Sequence, residues 1–431
     1  MSTDKVQKRP PLMSLDEALS HVLQNVQALS EQESVACFDA DGRILAESLV
    51  SQLQVPPQDN SSMDGYALRV EDVPAVGATL KVTQRIPAGH TGSPLGVGEA
   101  ARIFTGAPIP PNANAVLMQE DAQVIEPSSE HTTQSLAPEI KVNILPSLGQ
   151  WIRRSGEDVT KDAVVLAKGT RLGPAELGLA ASIGVAKVKV VRRPKVALFS
   201  TGDELVMPGD VPPHAMRPGA IYNSNRFFLR ALLMRAGCEV TDLGIVPDNL
   251  NATLEALQDA AAHHDLILTS GGVSVGEEDH VKPAVSALGQ LNLWQISMKP
   301  GKPFALGHIN VTVESERRKS YFIGLPGNPV SSFVTFQLLV KPFLSALQGA
   351  NLATPKPYRL QANFDFLKPD KRREFLRVRR NAEGGLDLFP NQSSGVLTSV
   401  VWGDGLVDNP GSNPIHAGDW VQFYPFEDRL P

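Results

Sequence analysis

The sequence predicts a protein of several domains that combines an α/β fold with all-β parts. The chain has 431 residues, which at roughly 100–200 residues per domain corresponds to about two to four domains. Between about residues 190 and 350, short apolar segments alternate with Gly-rich loops and helical patterns. This alternation is typical of a parallel sheet covered by helices on both faces. Before and after this region, frequent Pro and Gly and short Val and Ile runs predict small β domains.

The elements of the central region follow from their apolar pattern. Strands are predicted at 196–200, 238–246, 266–269 and 322–325, and helices at 226–235, 250–262 and 332–347. An earlier helix is predicted to begin after Ser14, because Ser14 and Glu17 have the spacing of a capping box. A further helix is predicted at 173–184, closed by Gly184.

These elements divide the chain into four predicted domains. Residues 13–50 and 150–190 form one discontinuous helical and extended domain, and residues 51–149 form a β domain inserted between its segments. Residues 191–350 form the α/β domain, and residues 356–431 form the C-terminal β domain. Loops that follow parallel strands emerge at one edge of a sheet, so a ligand site is expected in the α/β domain.

Composition and charge exclude several classes of function. With a net charge of −6, the chain lacks the basic surface that sequence-independent nucleic-acid binding needs, so no nucleic acid partner is expected. No run of 18 apolar residues occurs, so no membrane span is expected. Cys37 and Cys238 lie in apolar segments without a CxxC motif, which favours buried thiols in a reducing compartment. Since the N-terminus also lacks a signal-peptide core, a cytoplasmic location is predicted.

Three loops of the predicted α/β domain follow strands and carry acidic residues. They are STGDEL (200–205), VPDNL (246–250) and SGGVSVGEEDH (270–280). Carboxylates that converge at one edge of a sheet suit Mg²⁺, which takes one or two of them together with ligand phosphate oxygens. Glycines in STGDEL and SGGVSVGEEDH, and also in the later loop LPGNPVSS (325–332), let the backbone approach a ligand closely. The alternative for each acid is a solvated loop residue or a helix cap.

The segment LPGNPVSS (325–332) is predicted to bind an oxyanion. A strand runs into a Pro–Gly turn and then into a helix, whose first turn contains Ser331 and Ser332. The first N–H groups of a helix have no partner within the helix and attract phosphate or a similar anion. The alternative is simple N-capping by Asn328 or Ser331.

The segment KPGKPF (299–304) offers cations for the same purpose. Lys299 and Lys302 flank a rigid Pro–Gly turn, which can aim both ammonium groups at one anion. The alternative is a solvated basic turn. Because the acidic loops and LPGNPVSS already point to a phosphate-like ligand, we favour the anion-binding interpretation.

The segment KRREFLRVRR (371–380) alternates with a period of two residues about its central phenylalanine. If it forms a regular strand, Arg373, Arg377 and Arg379 share one face and Arg372 lies on the other. A basic strand face suits an oxyanion, because a guanidinium group offers a planar fork of donors. The alternative is a solvated edge strand whose charged side chains prevent pairing with another chain.

The chain contains seven motifs in the order NSSMDGYALR, RIFTGAPIP, RRSGEDV, ALFSTGDEL, TSGGVSVGEEDH, MKPGKPF and GLPGNPVSS. This series resembles the MoeA family, which includes the C-terminal domain of gephyrin, over about residues 14–425. The resemblance implies a molybdopterin molybdenumtransferase with a MogA-like α/β domain. Such an enzyme inserts molybdate into adenylylated molybdopterin, with Mg²⁺-dependent release of AMP, in the final step of molybdenum cofactor biosynthesis.

The resemblance also implies roles for particular residues. The expected Mg²⁺ ligands, which are also catalytic, are Glu204, Asp248 and Asp279. Further catalytic residues, contributed from the other side of a dimer cleft, are Asp64, Thr105 and Asp158. The expected substrate-binding residues are Gly271, Gly272, Ser274, Lys299, Lys302, Pro303, Gly327, Asn328, Ser331, Ser332, Arg372, Arg377 and Ser399. Among these, the residues that match the family's molybdate-binding groups are Lys302, Ser331 or Ser332, Arg377 and Ser399.

The partners that the resemblance implies are its substrates and other proteins of the same biosynthesis. An elongated homodimer is expected, together with a separate MogA-like adenylyltransferase and molybdoenzyme maturation proteins. Two rival functions are a scaffold, which gephyrin also provides in receptor clustering, and a nucleotide-pyrophosphate hydrolase of the CinA type. Retention of all three candidate metal ligands argues against the scaffold. The loops around Asp64 and Thr105 argue against the hydrolase.

Overall fold

The computed structural model describes residues 12–125, 137–272, 280–313, 316–351 and 357–426. Within these ranges it contains one mixed α/β sheet, two further six-stranded sheets and several two-stranded pairs, so the predicted multidomain α/β and β architecture is confirmed. Two predicted site residues, Ser274 and Asp279, lie outside the described residues.

The sheet of the α/β unit has six strands, of which four are parallel. Their order is Glu239–Val246, Lys195–Thr201, Leu266–Ser270 and Glu316–Leu325. Two antiparallel strands, Pro303–Val313 and Gly289–Gln295, complete the sheet. The sequence analysis did not predict these two strands, because polar residues interrupt their apolar runs. The strand predicted at 322–325 is the last part of a longer one.

Side chains of the parallel strands alternate between two cores. Val196 and Leu198 belong to one core, and Ala197 and Phe199 to the other. Both faces of the strand are therefore buried, which explains its continuous apolar sequence. The helices that cover the first face are Ser224–Arg235 and Pro329–Leu347, and those that cover the second are Leu250–His263 and Val281–Leu288.

The helix Pro329–Leu347 contains a π-helical turn, Phe336–Val340, between two α-helical parts, Pro329–Thr335 and Lys341–Leu347. Among the described residues it is the one helix long and apolar enough to cross a membrane, but most of it is buried inside the protein. Val334, for example, is fully buried in the core beside the sheet. These properties are those of a core helix.

The helix Leu15–Gln24 begins at the predicted capping box. The Glu17 N–H donates to Ser14 Oγ (3.2 Å), and the Ser14 N–H donates to Glu17 Oε2 (2.9 Å). Its buried side chains, Leu15, Ala18 and Val22, lie in the same core as Val196 and Leu198 of the α/β unit. The helix is therefore packed on the α/β unit, and the residues that follow it continue along the same unit, where the Leu29 N–H donates to the Leu347 carbonyl (2.9 Å).

The extended unit joins two segments that are far apart in sequence. Gln32–Ala36 pairs with Lys187–Val191, and Leu49–Val50 pairs with Val164–Leu166. Together with the helix Pro174–Ser182, they surround a small core that includes Leu45, Leu172 and Val190. The pairings fit a discontinuous domain, whose boundaries at residues 13–50 and 150–190 stay a prediction.

The β unit between these two segments has a six-stranded sheet. The strands, in order, are Ala115–Met118, Gly65–Leu68, Glu99–Ile103, Thr79–Ile86, Glu139–Val142 and Ala122–Ile125. A short pair, Asn60–Ser61 with Ile152–Arg153, lies outside this sheet. Apolar side chains fill a core on each side of the sheet.

The sheet of the C-terminal β unit includes one strand from the α/β segment of the chain. Its strand order is Met298–Lys299, Arg373–Arg380, Gly405–Asn409, Trp420–Pro425 and Tyr358–Gln361, and Leu386–Leu388 also pairs with Arg373–Arg380. A short helix, Thr398–Trp402, lies beside the sheet. Because Met298–Lys299 is part of this sheet, the lysine turn of the α/β unit is held directly against the C-terminal unit.

Candidate functional site

A cavity of about 600 Å³ lies between the α/β unit and the C-terminal β unit. Its walls combine the loop after Leu266–Ser270, the turn 299–303, the start of the helix Pro329–Leu347, and residues of the C-terminal unit. The predicted substrate-binding residues that line it are Gly271, Gly272, Lys299, Lys302, Pro303, Gly327, Asn328, Ser331 and Arg372. Segments separated by more than 100 residues therefore meet at one place.

Two glycines bring the backbone close to this cavity. Gly271 and Gly272 have φ values of +95° and +66°, in the region that favours glycine. A Cβ on Gly272 would lie 2.5 Å from Val281 Cγ2. A larger residue would therefore push the loop away from the helix Val281–Leu288.

The two lysines of the turn have different surroundings. Lys299 Nζ lies 3.0 Å from Oε1 of the buried Glu374 and 3.9 Å from Asp370 Oδ2. Hydrogen bonds from the Arg372 guanidinium and backbone hold the pKa of Asp370 well below its usual range. Lys302 has no ion pair with any described carboxylate. Lys302 is thus the lysine of the turn whose charge is not already balanced by these acids.

Gly301 lets the lysine turn pack onto the helix Pro329–Leu347. Its φ is +104°, and a Cβ would lie 2.5 Å from Thr335 Oγ1 and 2.8 Å from Met298 Cε. Gly301→Ala is therefore expected to lower the free energy of unfolding by about 1–3 kcal/mol, measured by urea denaturation. The matched control is Gly178→Ala, where a Cβ meets nothing within 4 Å inside the helix Pro174–Ser182. This control should raise stability by about 0.5–1 kcal/mol. Equal stability of Gly301→Ala and the wild type would contradict the packing argument.

The start of the helix Pro329–Leu347 contributes the third wall. Asn328 occupies the N-cap position without a capping hydrogen bond from its side chain, so the simple-capping alternative for Asn328 is wrong. Ser331 lines the cavity. Ser332 is fully buried, and its hydroxyl donates to the Pro326 carbonyl instead. Ser332 thus holds the loop before the helix in place and does not face the cavity.

The C-terminal wall contains three residues that the sequence analysis did not select. Gln392, Ser393 and Ser394 line the cavity. The Ser394 carbonyl accepts from the Val330 N–H (3.0 Å), which joins this segment to the helix start. The run Asn-Gln-Ser-Ser-Gly at 391–395 is dense in hydrogen-bonding side chains, and that density was the signal available in the sequence.

Arg377 lies just behind this wall and is 1% exposed. Its Nε donates to Ser399 Oγ (3.1 Å), its Nη1 to the Phe375 carbonyl (3.1 Å) and its Nη2 to the Ser393 carbonyl (3.4 Å). No described carboxylate pairs with it. Burial lowers the pKa of Arg377 to about 10, so the group stays charged at neutral pH.

The other arginines of this strand are already paired. Arg373 Nη2 lies 2.6 Å from Asp408 Oδ2, and Arg379 lies over the Trp402 ring at 4.5 Å. The strand Arg373–Arg380 has hydrogen-bonded neighbours on both sides. The alternative of a solvated edge strand is therefore wrong. Arg377 differs from its neighbours because no described carboxylate forms an ion pair with it, and Glu374 attracts it only over a longer distance.

The candidate metal ligands follow three adjacent parallel strands. Glu204 and Asp248 come after Lys195–Thr201 and Glu239–Val246, and Asp279 follows the third strand but lies outside the described residues. The Glu204 carbonyl accepts from the Ile221 N–H (2.8 Å), within the pair formed by Leu205–Val206 and Ile221–Tyr222. In the described part of the chain no three His, Cys, Asp or Glu side chains form a metal-binding group.

Asp64, Thr105 and Asp158 lie in other parts of the chain and do not line the cavity. Asp64 Oδ1 accepts from the Thr105 N–H (2.7 Å) and hydroxyl (2.8 Å). These two hydrogen bonds lower the pKa of Asp64, which keeps its carboxylate ionised. Asp158 is exposed, and its N–H donates to the Val55 carbonyl (3.0 Å). The structure thus brings Asp64 and Thr105 together, while all three residues lie apart from the cavity.

Three family models together match nearly the whole chain. The model of the MoeA N-terminal region (domain I and II) matches residues 13–184. A probable molybdopterin binding domain matches residues 197–346. The MoeA C-terminal region (domain IV) matches residues 359–426.

Known proteins and solved structures show the same similarity. The chain is 40% identical over 429 residues to a molybdopterin molybdenumtransferase of Haemophilus influenzae, covering 97% of this chain and 100% of the relative. It is 35% identical to one of a Nostoc species, covering 84% and 81%. A crystal structure of a molybdopterin biosynthesis MoeA protein from Pyrococcus horikoshii aligns with a TM-score of 0.79 at 28% identity, covering 96% of this chain and 100% of the other.

Proposed function

We infer that this chain, which belongs to the MoeA family, is a molybdopterin molybdenumtransferase that acts in molybdenum cofactor biosynthesis. The resemblance drawn from seven motifs is therefore confirmed, and so is the prediction of a transferase. The finer proposal is that the enzyme inserts molybdate into adenylylated molybdopterin and releases AMP.

The observation that carries the finer proposal is the buried charge of Arg377 behind a cavity lined by hydroxyl, ammonium and backbone groups. Molybdate is a tetrahedral oxyanion, which hydroxyl groups and a guanidinium bind well. Lys302 and Ser331 line the cavity, and Arg377 and Ser399 are hydrogen-bonded to each other behind its wall. We assign molybdate to the part of the cavity that is bounded by Lys302, Ser331 and the wall in front of Arg377. The glycine loop and the remaining cavity-lining residues would hold the pterin and its phosphate.

Mg²⁺ is the metal that the carboxylates would suit. Glu204, Asp248 and Asp279 follow adjacent parallel strands, and hard carboxylate oxygens are the ligands that Mg²⁺ prefers. The bound ion would neutralise negative charge on the adenylyl phosphate. The lysines of the turn would hold the phosphate in place, because phosphate-bond cleavage depends chiefly on positioning and charge neutralisation.

Asp64, Thr105 and Asp158 lie outside the cavity, so we propose that they act from the partner subunit of a homodimer. Two hydrogen bonds from Thr105 hold the Asp64 carboxylate in place. In a homodimer this carboxylate would face the cavity of the other copy. We further propose that the enzyme is cytoplasmic. Its proposed protein partners are a MogA-like adenylyltransferase, which supplies the substrate, and molybdoenzyme maturation proteins, which take the product.

Purified protein incubated with adenylylated molybdopterin, Mg²⁺ and molybdate is expected to release AMP and to produce cofactor that activates an apo-molybdoenzyme. Both readouts should require molybdate, and chelation of Mg²⁺ should abolish both. AMP release without active cofactor would favour a hydrolase. If folded protein released no AMP, the proposed reaction would be wrong.

A further inference from the structure

Asn225 connects two loops of the cavity and has no role in the proposed chemistry so far. It lies in the first turn of the helix Ser224–Arg235 and is 7% exposed. Its Nδ2 donates to the Gly327 carbonyl (2.7 Å) and to Ser270 Oγ (3.2 Å). Gly327 lines the cavity, and Ser270 directly precedes the cavity-lining Gly271. One amide group therefore ties together the strand-end loops on two sides of the cavity.

The bond to Gly327 fixes the direction of the next N–H. The Gly327 carbonyl and the Asn328 N–H belong to the same peptide group, and in a planar trans peptide the two point in opposite directions. With the carbonyl held against buried Asn225, the Asn328 N–H points away from Asn225. Asn328 lines the cavity, and its N–H has no acceptor among the residues that the structure describes.

Neighbouring hydrogen bonds hold this loop at Leu325 and Pro326. The Gly327–Asn328 peptide group is instead held by Asn225. The Pro326 carbonyl accepts from the Ser332 hydroxyl, and the Leu325 carbonyl accepts from the Gly271 N–H (3.0 Å). Glycine permits many backbone conformations, so the peptide group after Gly327 can rotate unless its carbonyl is held. Asn225 supplies that restraint.

We propose that Asn225 is a positioning residue that fixes the Gly327–Asn328 peptide group, so that the Asn328 N–H donates to the oxyanion bound in the cavity. The identity of that oxyanion as molybdate rests on the proposed function. The positioning role itself applies to any tetrahedral oxyanion that occupies the cavity.

The test compares three variants of the full chain by equilibrium dialysis with molybdate and, separately, with inorganic phosphate. Asn225→Asp keeps the size of the side chain but offers no N–H to the Gly327 carbonyl, and Asn225→Ala removes the restraint altogether. Both are expected to bind the oxyanion about tenfold more weakly than the wild type. Ser270→Ala is the matched control, since it removes only the other partner of the same amide. It should bind as the wild type does.

Two further readouts separate positioning from simple packing. The apparent KM for molybdate should rise in both Asn225 variants, while kcat at saturating molybdate stays within about threefold of the wild type. The thermal midpoint of each variant shows whether it is folded, and Asn225→Asp decides the question if Asn225→Ala does not fold. Wild-type affinity in folded Asn225→Asp would overturn the positioning role and leave the proposed function intact. Wild-type protein that binds phosphate but not molybdate would contradict the proposed function, while the variants still test Asn225 with phosphate.

Discussion

Replacement of Arg377 by methionine is expected to abolish molybdate-dependent activity without destabilising the ligand-free protein. Loss of a preorganised, buried donor typically lowers the rate about 10²–10³-fold, and here the positive charge behind the cavity wall is lost as well. Stability should respond differently, because a buried cation without a carboxylate partner opposes folding. An uncharged side chain of similar length removes that cost.

The lowered pKa of Arg377 gives the sign of this stability effect. The folded-state pKa is about 10, below the ordinary range for arginine. The folded state therefore holds this proton less tightly than the unfolded state does. The cost of burying the charge is fully present at neutral pH, and it is relieved only as pH rises from about 10 towards the ordinary value. A bound oxyanion offsets the same cost at neutral pH.

The measurements for this prediction are cofactor production and the thermal midpoint with and without molybdate. Molybdate should raise the midpoint of the wild type and leave that of Arg377→Met unchanged. Arg379→Met is the matched control, because Arg379 lies two residues further along the same strand face and packs on Trp402. It should retain near wild-type activity. Full activity of Arg377→Met would contradict the assignment of Arg377 to the oxyanion.

The convergence of the strand-end loops could be predicted because it depends on local patterns. Continuous apolar strands such as 196–200 imply a sheet buried on both faces, and the loops after parallel strands must then meet at one edge. The capping box at Ser14 was equally local. Its helix packs on the α/β unit through Leu15, Ala18 and Val22, and that docking depends on a surface formed by residues far along the chain.

The features that could not be predicted depend on long-range contacts. The cavity depends on the strand pair between Met298–Lys299 and Arg373–Glu374. The local sequence of neither segment indicates that it pairs with the other. The pairing of Lys299 with Glu374 follows from that register. Gln392, Ser393 and Ser394 likewise become cavity residues only because Ser394 meets the helix start at Val330.

Replacement of Asp265 by alanine is expected to destabilise the fold by about 1.5–3 kcal/mol, because it removes the buried carboxylate that accepts charge-assisted hydrogen bonds from the half-buried Arg192 and Arg318. Asp265 is 5% exposed. It accepts from Arg192 (2.6 and 2.9 Å), from Arg318 (2.9 Å) and from the Lys195 N–H (2.8 Å). Arg192 also pairs with Glu31, so these contacts join the extended unit to the parallel sheet.

The pH dependence follows from the same contacts. Burial alone would raise the pKa of Asp265, but the hydrogen bonds from Arg192 and Lys195 outweigh it and lower the pKa below its ordinary value. The resulting stability is present above the ordinary aspartate pKa near about 4, and it is lost as pH falls through the lower folded-state pKa. The stability difference between the wild type and Asp265→Ala should therefore be full at pH 7 and shrink in acid.

Urea denaturation at pH 7 and below about pH 4 measures this difference. Asp259→Ala is the control, because its carboxylate is 75% exposed and its contact with His263 is 3.9 Å long. This variant should remain within about 0.5 kcal/mol of the wild type. A loss below about 1 kcal/mol in Asp265→Ala would mean that water reaches and solvates Arg192 and Arg318 when the carboxylate is absent. The junction between the extended unit and the sheet would then be held by its apolar contacts instead of this charge cluster.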